Sequence, residues 1–214
     1  MAEGVAQASD TRHVAAMSAR ETVDRYRALA QRDPDAWLPD LARSLNDEAI
    51  ALLGAGRKTE ALAASREAVD AHRALAQRSP EAFLPGLAMS LHNMGNALRS
   101  LGRRREAGSA AREAVGLYGS LVRERPEAFG LHLASSLTAL HATLDEGPGR
   151  AEALGLVEEG IGLIWPCFER APQESSAAMT MLFELALDLS EALRRAPSAS
   201  LLARGKAFRR LMGR

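Results

Sequence analysis

Apolar residues recur along this chain at three- and four-residue spacing, in paired stretches such as Leu87, Leu91, Met94 and Leu98, then Ala107, Ala111, Ala114, Val115 and Leu121. That is the period of helices with one buried face. Reading the pattern end to end predicts helices near 13–31, 38–53, 58–77, 84–99, 104–123, 127–144, 150–169, 174–194 and 199–211, with no strands. Gly56 and Gly102, each followed by Arg, separate two stretches of a pair and suit the left-handed residue that ends a helix.

The pairs repeat. Pro34, Pro80, Pro126 and Pro172 are each 46 residues apart, and the words DPDAWLPDLARSL, SPEAFLPGLAMSL and RPEAFGLHLASSL align around them without a gap. Leu41, Leu87 and Leu133 coincide in this register, as do Ser44, Ser90 and Ser136, and further on Glu60, Glu106 and Glu152. Ser79, Pro80 and Glu81 supply in turn an N-cap oxygen, a proline tolerated in a first turn and a carboxylate near the positive helix end. Pro39 and Pro85 follow five residues into the copy, so a short turn is expected first and the main helix from about those prolines. Leu131 stands at that position in the third copy, whose first helix is expected to run unbroken from about residue 127. The helix at 13–31 matches the second helix of a copy, since Val23, Tyr26 and Leu29 align with Val69, His72 and Leu75.

The words SLHNMGNALRSLGRRREAGSAAREAV and SLNDEAIALLGAGRKTEALAASREAV resemble the tetratricopeptide (TPR) repeat, with Gly95, Leu98, Gly102, Ala107 and Ala114 at its signature positions. The usual repeat has about 34 residues, whereas the 46-residue unit here is similar to the long-helix variety of kinesin light chains and actinobacterial regulatory arrays. The resemblance implies an all-α fold, a right-handed α-solenoid of antiparallel helix hairpins. The expected organisation is a disordered N-terminus at 1–12, an orphan capping helix at 13–31, repeats at 32–77, 78–123 and 124–170, and a degenerate cap at 171–214. Trp165-Pro166 is expected to interrupt the last good second helix, and Glu48 and His141 depart from the apolar and small residues due at their positions.

Composition narrows the function. Lys plus Arg equals Asp plus Glu at 27 each, so no basic field invites nucleic acid. Cys167 is the only cysteine, which fits a reducing, cytoplasmic setting and, beside Trp165-Pro166, a small buried hydrophobe. No apolar run is long enough for a membrane span. The histidines His13, His72, His92, His132 and His141 form no zinc motif. No nucleophile elbow or phosphate loop occurs, and Gly147-Pro148-Gly149 replaces a hairpin turn. Neither an enzyme activity nor a cofactor is expected.

The TPR resemblance places binding on the first helix of each hairpin. Carried over by position, the candidates are Arg43, Asn46, Asp47 and Ile50, then Met89, His92, Asn93, Asn96 and Arg99, then Ser135, Thr138 and Ala142. Asn93, Asn96 and Arg99 suit a peptide backbone and a carboxylate, although the same residues would also serve as an ordinary solvated face. The family's carboxylate clamp is not present, because Ile50 and Asn46 stand where it needs an asparagine and a lysine. Glu184, Asp188 and Glu191 make an acidic stripe, and the tail carries Arg204, Lys206, Arg209, Arg210 and Arg214. The expected function is a scaffold binding a protein or peptide in its groove. Alternatives are an array sensing a small peptide or metabolite, or a detached part of a larger nucleotide-binding or protease signalling protein. Val14 and Met17 on the orphan helix further predict a homodimer through that end or docking of an upstream domain.

Overall fold

The computed structural model describes the backbone of residues 2–144 and 148–213, and their side chains except those of residues 2–11, 13 and 148. The described chain is helical, with α1 (Ala2–Arg32), α2 (Pro34–Gly54), α3 (Lys58–Arg78), α4 (Pro80–Ser100), α5 (Arg104–Glu124), α6 (Pro126–His141), α7 (Pro148–Arg170), α8 (Pro172–Ala192) and α9 (Ala199–Leu211). No described residue lies in a strand. The all-α reading stands, and α2, α4, α6 and α8 each begin on the proline that marks the 46-residue period.

Where the boundaries moved, local chemistry explains it. α1 starts at Ala2 rather than near residue 13, and Gly4 is the only strong helix breaker among residues 2–12. α2 and α4 do not wait for Pro39 and Pro85 but run straight through them. Each ring removes one backbone donor near the helix start, while the first bonds, Trp37 N to Asp33 O and Phe83 N to Ser79 O at 3.2 Å each, precede it. The expected contrast between α6 and its counterparts is therefore absent. Pro166 likewise lies inside α7 without ending it.

Asp33 caps α2, its carboxylate accepting from Ala36 N at 3.1 Å. Ser79 occupies the N-cap position of α4, but its hydroxyl makes no capping bond. The hairpin turns are as expected: Gly56 and Gly102 take φ 76° and 75°. In each turn two amides fold back, Gly56 N to Leu53 O and Arg57 N to Leu52 O in the first, Gly102 N to Arg99 O and Arg103 N to Leu98 O in the second. One period beyond residue 148 the same turn recurs at Arg194, a left-handed arginine with φ 50°. The turn expected at Gly147 lies outside the described residues.

The chain divides into two compact units, Met1–Ala110 and Ala111–Arg214. In the first, Leu45, Leu52 and Leu91 are buried between helices, and Ala61, Ala68 and Ala107, all fully buried, let neighbouring helices approach closely. Each large buried side chain contributes roughly 1.5–3 kcal/mol. In the second, Leu137, Leu140, Ile161 and Leu182 play the same part. Its C-terminal end is closed by Trp165, Phe168, Phe183 and Phe208, with ring centroids 5.1–6.5 Å apart, and Arg204 lies over Trp165 at 5.9 Å.

Candidate functional site

In the first unit α2 and α4 pack together and carry most of the candidate groove residues. Their arrangement differs from a row of solvated side chains. Asn46 is fully buried, not a surface residue. Its Oδ1 accepts from Asn93 Nδ2 at 3.3 Å, a bond that sets the orientation of the amide, and its own Nδ2 is buried with no partner. Asn93 therefore bridges α2 and α4 from a half-buried position.

One turn further along α4, Asn96 Nδ2 lies 3.0 Å from His92 Nε2; if the amide donates, that ring nitrogen carries the lone pair. Met89 is half-buried alongside. Arg43 is exposed and pairs with Asp40, while Asp47 and Arg99 are exposed and Ile50 stands 53% exposed. The two helices thus present an amide-rich seam flanked by an acid, a base and an uncovered aliphatic side chain. Thr138 is an exposed residue of α6 in the second unit, its hydroxyl donating to Ala134 O at 3.0 Å, and Ser135 and Ala142 lie on or beside the same helix.

Residues considered for chemistry have structural surroundings. Cys167 is buried with its Sγ 3.2 Å from an Arg170 nitrogen. His72 is buried, with Nδ1 3.1 Å from Ala68 O and 3.0 Å from Ser90 Oγ, and burial lowers its pKa. No group of three or more metal-ligating side chains gathers among the described residues. Glu184, Asp188 and Glu191 are all exposed on α8.

What the sequence reading missed is a ladder between second helices. Arg20 pairs with Glu60 at 3.1 Å and Arg66 with Glu106 at 3.9 Å in the first unit; Arg112 pairs with Glu152 at 3.3 Å in the second. Arg57 and Arg103 add a second guanidinium to Glu60 and Glu106 and hold both carboxyls below their ordinary pKa. The coincidence of these glutamates was visible; their arginines, 40 residues upstream, were the unread half of the signal. Glu48, recognised as out of place, lies 6% exposed near Arg20 and Arg27, its carboxyl pushed up by burial and pulled down less by those cations.

Among solved structures, the chain is similar to that of a Q17M kinesin light chain protein of Podosopora anserina with nearly identical TPR-like repeats. The two share 16% identity over 96% of this chain and 94% of that one, at a TM-score of 0.57. The fold is TPR-like. A second similar structure is BtubC (BKLC) of P. vanneervenii, at 16% identity, with 94% and 92% of the two chains covered and a TM-score of 0.45. No protein-family model matches the sequence, and no curated protein matches it either. The TPR-like likeness is one of fold, and no helix among the described residues is long and apolar enough to cross a membrane.

Proposed function

We propose that this TPR-like chain is a protein-interaction scaffold whose first-helix seam between α2 and α4 holds an extended peptide segment of a partner. The observation that carries the reading is Asn46 Nδ2, a buried donor with no acceptor beside the Asn46–Asn93 bond. A buried polar group without a partner costs roughly 1–3 kcal/mol, and a peptide carbonyl entering as Asn93 swings aside would recover it. Asn96 and His92 offer further polar contacts, Arg99 a charge for a carboxylate, and Ile50 an apolar contact.

Affinity capture with mass spectrometry from the source cell tests this, comparing the wild-type chain with the folded Asn96→Ala/Arg99→Ala variant. The expected result is one or more proteins retained by the wild type and lost by the variant. Capture that the variant leaves unchanged would place binding elsewhere, and a wild type that captures nothing would count against a scaffold. Self-association through α1 is a second reading, favoured by Val14 and Met17, which stand 65% and 52% exposed. Light scattering that finds only monomer at high concentration removes it.

A further inference from the structure

Two grooves between second helices, one in each unit, are equivalent in the 46-residue register, yet side chains narrow one and leave the other open. In the first unit the groove between α1 and α3 is bracketed by Arg20–Glu60 at 3.1 Å and Arg27–Glu67 at 2.9 Å. Asp24 and Arg27, joined at 2.8 Å, line it and leave a cavity of about 130 Å³. In the second unit Arg112–Glu152 at 3.3 Å and Arg123–Glu159 at 2.5 Å bracket the groove between α5 and α7. Two periods on from Asp24 and Arg27 the residues are Gly116 and Gly119, and the cavity is about 250 Å³. The copy between them carries Asp70 and Arg73. Neither glycine has a neighbouring atom within 4 Å of where a Cβ would stand, so close packing does not demand either one.

The open groove has a particular chemistry. Leu133, Leu156 and Leu163 give it an apolar lining, and α5 forms a basic wall with Arg112 and Arg123 against the acidic wall of Glu152 and Glu159 on α7. The two ion pairs set α5 and α7 side by side in the same direction, and Arg112 to Arg123 spans roughly 16 Å, about three helical turns. The volume is below the range of roughly 300–1,000 Å³ usual for small-molecule pockets and suits one or two apolar side chains.

We propose that this trench seats an amphipathic helix of a partner protein. Its apolar ridge lies over Leu133, Leu156 and Leu163, with acidic residues along the edge facing Arg112 and Arg123 and basic residues along the edge facing Glu152 and Glu159. The charge arrangement follows the edge pairing of coiled coils. The resident ion pairs are half-exposed and individually weak, so exchanging them for intermolecular ones costs little.

Calorimetric titration with three synthetic helical peptides of one leucine ridge tests the proposal: one has Glu along one edge and Lys along the other, one Glu on both edges, one Lys on both. The first is expected to bind at least about tenfold more tightly than the others. The Gly116→Asp/Gly119→Arg variant restores the residues of the second copy and is expected to abolish that binding with an unchanged or raised Tm. Should that variant lose its helical circular dichroism, Gly116→Ala/Gly119→Ala adds only two methyl groups and is expected to weaken binding at least about threefold. Equal binding of all three peptides, binding of none, or undiminished binding by the folded variants would overturn the proposal. So would anilinonaphthalene sulfonate binding to the wild type but not the variant in the absence of peptide binding, which would mark a small-molecule site instead.

Discussion

Single residues here are best understood against their counterparts one period away. His72 aligns with Tyr26 and Tyr118, and Gly86 with Asp40 and His132, so the last two pairs make the same contact with different sizes of side chain. Tyr118 stacks on His132 with centroids 5.4 Å apart, whereas a Cβ at Gly86 would come within 2.3 Å of His72 Nε2. The imidazole cannot swing away freely, since Ala68 O and Ser90 Oγ hold its Nδ1. Gly86→Ala is therefore expected to cost about 1–3 kcal/mol, read as a lowered midpoint in urea unfolding; an unchanged midpoint would show that the ring is not confined. The signature glycines of the turns were legible because a left-handed residue is a local requirement. Gly86 was not, because its cause sits on another helix. The burial of Asn46 was not legible for the same reason: position along α2 marks it only as a polar residue of the groove face, and packing against α4 is what buries it beside Asn93.

At the scale of elements, helix number and pairing followed from apolar spacing, while α2 and α4 start earlier than their internal prolines suggest. Pro39 and Pro85 were read as barriers, yet each sits early enough in its helix that one lost bond does not stop it. Helix ends carried a hidden regularity. The turn after α8 repeats the double backbone closure of the earlier hairpins, Arg194 N to Glu191 O and Arg195 N to Ser190 O at 2.9 Å each, with arginine where glycine is easiest. Holding a non-glycine residue there costs roughly 1 kcal/mol. Arg194→Gly is accordingly expected to raise the thermal midpoint, and a lowered midpoint would mean that the arginine side chain contributes more than its backbone strain removes.

Across the molecule, acid and base groups in the interior pull stability in opposite directions with pH. His72 has a lowered pKa, so its contribution is complete above its ordinary value of 6.5 and is lost as pH falls through the lowered one. Glu48 has a raised pKa, so its contribution is complete below 4.5 and is lost as pH rises through the raised one. At neutral pH the carboxylate is the unfavourable partner, and the third copy has Leu140 at its position. Glu48→Leu is expected to stabilise the protein by about 1 kcal/mol at pH 7 and by less at pH 4. Equal gains at both values would show that hydrophobic replacement, not ionisation, is responsible.

The constant 40-residue offset of Arg20, Arg66 and Arg112 from their glutamates has a consequence for how the gene can change. Duplicating residues 58–103 in tandem would leave every arginine facing a glutamate at the same offset, since the new junction reproduces the old one. Array length is thus open to unequal recombination without loss of registry between neighbouring hairpins, as nearest-neighbour architectures allow.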